Sequence, residues 1–249
     1  MKIAVCVNHV PDTETKIKVA PDGVSIDRTG VNWMMSPYDE FAVEEGLRAK
    51  EKFGGEVVVI GLGGDTHKET LRKALAMGAD KALLLKDDAP RDSFGVAFGL
   101  AEELKALAPD LVLFGKQSID YDGSQVGTAV AELLGFPSVG VVVKAEIAAD
   151  GSVVCEREIE GGHETVTTKL PLVLTAQKGL NEPRYPSLKG IMAAKTKPIA
   201  EKPAAPMPAR VQTVALRKPP AKAAGRIIGT DKTAVPELVR LLHEEAKVI

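Results

Sequence analysis

One stretch of the sequence indicates both a fold class and a candidate site, and it reads Asp110-Leu111-Val112-Leu113-Phe114-Gly115-Lys116-Gln117-Ser118-Ile119-Asp120-Tyr121-Asp122-Gly123-Ser124-Gln125-Val126-Gly127. Its apolar beginning predicts a strand that ends at Gly115, and the apolar spacing after Gly127 predicts a helix. Ser124 stands where an N-cap is expected, and Gly123 permits close approach to the backbone. A strand, a small polar loop and a helix N-terminus suit an anionic ligand, although the same loop could be an ordinary connection.

The chain around this stretch alternates strands with helices, which predicts a doubly wound, mostly parallel, Rossmann-like α/β sheet. Ser36, with Pro37 after it, is expected to cap one helix, and Thr66 with Glu69 predicts a capping box. After Gly135, hairpin signals predict antiparallel additions to the sheet. Strands are predicted at residues 2–8, 56–62, 81–85, 111–114, 139–147, 152–159, 163–169 and 172–176, helices from Ser36 and at 66–77 and 93–107, and a separate small hairpin at 16–27.

The last quarter of the chain differs in composition from the rest. Proline is frequent between residues 198 and 222, and the hydrophobic periodicity is lost, which predicts an extended arm. An amphipathic helix is predicted near residues 233–246, where it would dock on its own core or on a partner. We therefore predict a nucleotide-binding α/β domain at 1–197, with a recognition loop near 181–197, and an arm with a terminal helix at 198–249.

Composition excludes several classes of function. The formal net charge of −2 gives no basic field for nucleic acid or an anionic membrane, and 4% aromatic residues provide few stacking platforms for single strands. Cys6 and Cys155 are far apart, and Cys6 lies in an apolar strand, so we expect a small core residue and neither a disulfide nor a zinc site. With no signal peptide and no apolar run that could span a bilayer, a soluble, cytoplasmic protein is expected.

Ligands of open parallel sheets bind beyond the carboxyl ends of the strands, where several loops of this chain are predicted to meet. The sequence contains no Walker A motif, no Gly-x-Gly-x-x-Gly and no pyrophosphatase loop, which favours nucleotide binding without turnover. Catalysis would have to use His9, His67, His163, Asp120 or Asp122, and no catalytic triad can be assembled from these residues. We expect His67 and His163 to be solvated and Asp122 to stabilise a turn, whereas Asp120 could stabilise the loop or contact a ribose.

Residues 181–197 suggest a second site, because polar residues there precede apolar side chains on a short helical segment. Leu188, Ile191 and Met192 could pack on the core, or could form apolar anchors with a charged rim for transient docking.

Several motifs, in this order, resemble the beta subunit of the electron transfer flavoprotein family over nearly the whole chain. They are Val5-Cys6-Val7-Asn8-His9-Val10-Pro11-Asp12, Ser36-Pro37-Tyr38-Asp39 with Glu44-Glu45, Ala74-Leu75-Ala76-Met77-Gly78-Ala79-Asp80, Gly115-Lys116-Gln117-Ser118-Ile119-Asp120 with Gln125 and Gly127, Leu170-Pro171 and Leu180-Asn181-Glu182-Pro183-Arg184-Tyr185.

The resemblance implies a heterodimer in which an alpha subunit holds most of an FAD, while this subunit holds a structural AMP. Thr13 and Tyr38 match positions that approach the flavin, and the arm with its helix would wrap the alpha subunit. The cofactor-binding residues implied are Cys6, Asn8, Thr13, Ser36, Pro37, Tyr38, Asp39, Leu62, Gly63, Gly64, Lys116, Gln117, Ser118, Ile119, Asp120, Asp122, Gly123, Ser124, Gln125 and Val126.

The same resemblance implies an electron carrier without catalytic residues of its own. Electrons would pass from acyl-CoA dehydrogenases to the electron transfer flavoprotein-quinone oxidoreductase, and Leu188 matches the side chain that anchors the dehydrogenase. The residues implied in partner recognition are Glu182, Arg184, Tyr185, Leu188, Ile191 and Met192.

Two departures from the family pattern bear on the nucleotide. Ser36 replaces the usual Asn, and Val126 replaces a frequent Thr, which resembles electron-bifurcating relatives that hold a second FAD. Glu182 instead resembles the single-FAD group, so we favour AMP over a second FAD. A stand-alone nucleotide-binding regulatory module is a further alternative.

Overall fold

The computed structural model describes residues 1–222 and 224–249, and its centre is a nine-stranded sheet covered by helices on both faces. None of the helices in this part of the chain is long and apolar enough to cross a membrane. The strands are β1 (Lys2–Cys6), β2 (His9–Pro11), β3 (Trp33–Met35), β4 (Glu56–Gly63), β5 (Lys81–Lys86), β6 (Leu111–Gly115), β7 (Ser138–Ile147), β8 (Ser152–Ile159), β9 (Gly162–Lys169), β10 (Leu172–Ala176) and β11 (Ile199–Pro203). The helices are α1 (Pro37–Phe53), α2 (His67–Met77), α3 (Ser93–Leu107), α4 (Val126–Leu134), α5 (Leu188–Thr196) and α6 (Val235–Glu244).

The order of strands in the sheet is β11-β5-β4-β1-β6-β10-β7-β8-β9. All neighbouring pairs from β11 to β7 are parallel, whereas the pairs β7–β8 and β8–β9 are antiparallel. The chain crosses from β1 to β4 and then to β5, on one side of β1. The crossover that follows β6 passes through α4 to β7, on the opposite side. The predicted fold class is therefore confirmed, and the topological switch point lies between β1 and β6.

Two hydrophobic clusters cover the two faces of the sheet. Successive side chains of a strand point to opposite faces, so Ile3 and Val5 of β1 join the cluster beneath α1 and α2. Ala4 and Cys6 join the cluster beneath α3 and α4. Cys6 is buried in that cluster, as the sequence predicts.

A short ribbon outside the main sheet was not predicted. β2 pairs antiparallel with β3, from His9 opposite Met35 to Pro11 opposite Trp33. Strands of three residues are too short to show a periodicity, and β2 also follows closely on β1. The hairpin predicted at 16–27 contains one antiparallel bridge, between Val19 and Ile26.

Three side-chain caps predicted from the sequence are wrong. Ser36 and Thr66 do precede α1 and α2, but in the described part of the chain neither side chain forms a capping hydrogen bond. Thr66 has helical dihedral angles, so the capping-box geometry, which needs an extended N-cap, is not available. Helix α4 begins two residues after Ser124, and Gln125 occupies its uncapped N-cap position.

The predicted arm begins with a strand of the main sheet. β11 pairs in parallel with β5, from Ile199 opposite Ala82 to Pro203 opposite Lys86, so the boundary proposed at residue 198 lies at the sheet edge. In α6, Val235, Leu238 and Val239 are exposed. The division into domain and arm stays a prediction.

Candidate functional site

The carboxyl ends of β1 and β6 are joined by the side chain of Asp39, in the first turn of α1. Its Oδ2 accepts a hydrogen bond from the backbone N–H of Asn8 at 2.7 Å, and its Oδ1 accepts one from the N–H of Gly115 at 3.0 Å. Helix α1, the loop after β1 and the loop after β6 therefore meet at the switch point. We call this place the crevice, bounded by Asn8, Ser36–Asp39 and residues 115–125.

The loop after β6 is connected to the loop after β1 by side-chain hydrogen bonds. Asn8 Nδ2 donates to Ser118 Oγ at 2.7 Å and to Asp120 Oδ2 at 3.2 Å. The Ser118 hydroxyl donates to Asp120 Oδ1, and the Ser118 N–H donates to the carbonyl of Gly123 at 3.0 Å. Asp120 thus stabilises the loop, and its exposed side chain leaves a ribose contact sterically open.

Asp122 occupies the turn of the same loop. Its φ of 51° lies in the left-handed region, which aspartate tolerates better than most residues, and its Oδ1 accepts a hydrogen bond from Gln117 Nε2 at 3.0 Å. Both features are those of a turn residue, as predicted.

Burial makes the crevice electrostatically unusual. Asp39 is only 6% exposed, and burial raises the pKa of its carboxyl to about 7, against the opposing effect of the two N–H donors. The negative charges of Asp120 and Glu40 raise this pKa further. Burial, with the charge of Asp39, also raises the pKa of the Cys6 thiol, so this cysteine is an un-ionised core residue rather than a nucleophile.

The crevice retains polar groups that a nucleotide could use. Ser36 is fully buried, and within residues 1–222 and 224–249 its Oγ has no hydrogen-bond partner, a state that costs free energy unless a ligand or water satisfies it. The first turn of α4 has no side-chain cap, so its N–H groups can bind an anion. The Lys116 ammonium lies 5.0 Å from the centre of the Tyr38 ring, at the crevice edge. These residues fit a phosphate-bearing ligand.

The remaining predicted cofactor residues lie at different places. Leu62 and Gly63 end β4 beside the crevice, and Asp88 approaches the following Gly64 so closely that a Cβ there would lie 2.4 Å from the Asp88 Oδ1. Val126 is half-buried at the start of α4 and packs on the hydrophobic cluster. Thr13 is exposed in the excursion between β2 and β3, where its neighbours line a polar cleft of about 460 Å³. Lys116, Gln117, Ser118, Ile119, Gly123, Ser124 and Gln125 belong to the loop itself.

The expectation that His67 is solvated is wrong. Its ring lies 5.1 Å from that of His9, which stacks on Trp33 at the same centroid distance. His9 Nδ1 is 2.9 Å from Thr70 Oγ1, while His9 Nε2 and His67 Nδ1 are buried and have no partner in the described part of the chain. Burial lowers the pKa of both histidines, that of His67 to about 4, so both rings are neutral at pH 7. His163 is exposed, as expected.

The segment at 181–185 is held against α1 by Arg184. Its guanidinium donates to both carboxylate oxygens of Glu44, at 2.8 and 3.1 Å, and to Glu51 at 2.6 Å. Asn181 Nδ2 donates to the carbonyl of Phe41 and to Glu45, each at 3.0 Å. Arg184, predicted to meet a partner, therefore has its charge paired within the chain.

The next residues form an exposed apolar patch on α5 and the loop before it. Helix α5 packs on α2 through buried Ala194, and Arg72 of α2 donates to the Lys197 carbonyl at 2.6 Å. Tyr185 is 96% exposed and Leu188 84%, so the segment packs on the core and also presents exposed apolar side chains, whose role in docking stays a prediction. We call the set the docking patch, formed by Tyr185, Leu188, Ile191 and Met192, with exposed Glu182 nearby.

Sequence analysis attributed Asp39 to the favourable position of an acid at a helix N-terminus. It therefore missed that the side chain joins the ends of β1 and β6. A readable signal was present: residues 39, 42, 43 and 46 share one face of a helix, and Ala42 and Val43 are apolar core positions. A carboxylate on that buried face must find hydrogen-bond donors.

Comparisons with known proteins agree on one family. The family model of the electron transfer flavoprotein domain matches residues 23–207. The chain is 45% identical over 250 residues to the electron transfer flavoprotein subunit beta of Syntrophomonas wolfei, covering 100% of this chain and 98% of that protein. The beta subunit of Bacillus subtilis is 40% identical over 263 residues, and the mitochondrial beta subunit of Arabidopsis thaliana 37% over 259, each covering both chains completely.

Replacing Gly115 by alanine is expected to destabilise the protein by about 1–3 kcal/mol, because overpacking displaces neighbouring atoms. The new Cβ would lie 2.5 Å from Asp39 Oδ1 and 2.7 Å from the backbone carbonyl carbon of Tyr38. Urea unfolding of Gly115→Ala measures the loss. Gly162→Ala is the matched control, since nothing lies within 4 Å of its Cβ position, and equal stabilities of the two variants would contradict the prediction.

Acidification is expected to destabilise the fold through His67. Its pKa is about 6.5 when unfolded and about 4 when folded, so the unfolded chain binds a proton that the folded chain rejects. The contribution of the neutral His67 ring to the free energy of unfolding is present above pH 6.5 and is lost as the pH drops toward 4. At pH 5 the loss amounts to about 2 kcal/mol. Urea unfolding of His67→Gln between pH 5 and 7 should show a shallower loss than the wild type. His163→Gln should retain the wild-type slope, and identical slopes for all three proteins would disprove this account.

Proposed function

The chain belongs to the electron transfer flavoprotein family as a beta subunit, and we propose that it acts in a heterodimer that carries electrons between enzymes. In this proposal acyl-CoA dehydrogenases donate the electrons, and the electron transfer flavoprotein-quinone oxidoreductase accepts them. The alpha subunit holds most of the FAD, which supplies the redox chemistry when bound. This subunit positions the flavin and docks the partners, in a cytoplasmic complex, without a bond-making residue of its own.

The single observation that carries the docking role is the combination of exposure and rigidity at residues 181–192. Leu188 and Met192 are 84% and 63% exposed, an arrangement that suits apolar anchors. The segment beneath them is held by the pairing of Arg184 with Glu44, whose side chain is only 4% exposed. Because the free protein already orders the patch, docking loses little conformational entropy, which suits short-lived encounters.

The crevice is proposed to hold a nucleotide that is bound and not hydrolysed. The buried Ser36 hydroxyl would hydrogen-bond the nucleotide, and the first-turn N–H groups of α4 would bind its phosphate. AMP is the ligand that we favour. Val126, an apolar side chain at the start of α4, is the observation that favours the alternative of a second FAD in an electron-bifurcating protein.

Denaturing the purified heterodimer is expected to release one FAD and one AMP per dimer. Chromatography of the released nucleotides against standards measures both. Release of two FAD and no AMP would contradict the AMP proposal and support the alternative of an electron-bifurcating protein with a second FAD. A chain that purifies alone as a stable species with bound nucleotide would instead support the regulatory module.

Leu188→Ala is expected to weaken docking of an acyl-CoA dehydrogenase, raising the KM for the flavoprotein by about tenfold, as for an interface anchor worth about 1.4 kcal/mol. Its FAD content should be unchanged, because Leu188 is exposed on α5. Steady-state transfer from the dehydrogenase, with the heterodimer as the varied substrate, gives the KM. Ile159→Ala, at an exposed position on β8, is the matched control and should leave the KM unaltered. An unaltered KM for Leu188→Ala would remove this residue from the docking role.

A further inference from the structure

Asp39 carries a charge in the crevice that no cation neutralises among residues 1–222 and 224–249. Its hydrogen bonds come from two backbone N–H groups, at 2.7 and 3.0 Å, and it takes part in no salt bridge in that part of the chain. The residue is almost completely buried. An ionised carboxylate in such a place is costly unless it is paired, so the site favours the neutral acid whenever more negative charge arrives.

The groups that face Asp39 from each neighbouring element do not supply a cation. Cys6 faces it from β1 as an un-ionised thiol, and Asp120 faces it from the loop after β6 as a second acid. On its own helix, Glu40 is a third acid, and its carboxylate pairs with Lys73. Lys116 follows Gly115, and its ammonium lies over the Tyr38 ring.

We propose that a nucleotide binds in the crevice together with one proton, which is taken up by the carboxylate of Asp39. The inference rests on the proposed function, because it requires a phosphate group in the crevice. One nucleotide and one proton from solvent combine with the anionic crevice, and no covalent bond other than the new O–H forms or breaks. Asp39 acts here as a positioning residue, through the N–H groups of Asn8 and Gly115.

Protonation serves two purposes in this arrangement. It removes the repulsion between a phosphate dianion and a buried carboxylate, which would otherwise oppose binding. It also changes Asp39 from an acceptor only into a group that accepts through one oxygen and donates through the other. The unprotonated oxygen keeps its hydrogen bond from one strand-end N–H, whereas the bond at the protonated oxygen is weakened, so proton uptake loosens one side of the joint between β1 and β6.

The test is the affinity of the purified heterodimer for AMP between pH 7 and 8.5, measured by equilibrium dialysis after its own nucleotide has been removed. The phosphate of AMP has its second pKa near 6 and stays a dianion throughout this range. For the wild type, the Kd should rise about tenfold per pH unit at the upper end of the range, as linkage to one proton requires.

Asp39→Asn has nearly the shape of the protonated acid and cannot ionise, so its Kd should be independent of pH in this range. Glu40→Gln removes the same charge from the neighbouring residue outside the crevice, and it should keep the wild-type slope. A flat wild-type profile, or an Asp39→Asn profile as steep as the wild type, would overturn the proton uptake and leave the nucleotide site standing. Absence of AMP binding at every pH would overturn the proposed nucleotide site and this inference together.

A second measurement covers the case in which Asp39→Asn does not fold. Calorimetric titration of the wild-type heterodimer with AMP at pH 8, in two buffers of different ionisation enthalpy, counts the protons taken up. Uptake close to one proton per AMP supports the proposal. Zero uptake with measurable binding overturns it.

Discussion

A buried carboxylate at the switch point connects the two strands from which the halves of the sheet diverge. The hydrogen bonds from Asn8 and Gly115 to Asp39 join the end of β1 to the end of β6 and fix both to the start of α1. Bonds to a charged acceptor are stronger than neutral ones, yet the buried charge costs desolvation energy, so the joint depends on both donors being present. Gly115 must be a glycine because the carboxylate and the Tyr38 backbone occupy the space of a Cβ.

Helix α1 connects this joint to the proposed docking patch. Its first turn lies in the crevice, its middle carries Glu44 and Glu45, and its last turn carries Glu51; these acids hold Arg184 and Asn181. Glu44 also accepts from Arg48, so its buried charge has two cationic partners, whereas Asp39 has none among the residues that the structure describes. This difference explains why the pKa of Glu44 is lowered by its arginine partners despite burial, whereas that of Asp39 is raised by burial.

The ribbon of β2 and β3 is held to the sheet by a different kind of contact. The neutral His9 ring stacks on Trp33 and lies against the tilted ring of His67, the first residue of α2, and the Arg28 guanidinium lies 4.7 Å from the centre of the Trp33 ring. The packing excludes water from two ring nitrogens, which keeps the imidazoles neutral and makes this contact sensitive to acid. The excursion that carries Thr13 is thereby supported independently of the crevice.

The sequence by itself determined the α/β class, the boundaries of α3, the solvated position of His163 and the burial of Cys6, because periodicity and turn chemistry act over a few neighbouring residues. Only the tertiary structure decided that the Ser36 hydroxyl is buried without a partner among the described residues, that Asp39 joins two strands and that Arg184 is paired within the chain. The partners are distant: Asp39 and Gly115 are 76 residues apart, and Arg184 and Glu44 are 140 apart. No local pattern specifies such pairs, since they exist only after parallel crossovers have brought the strand ends together.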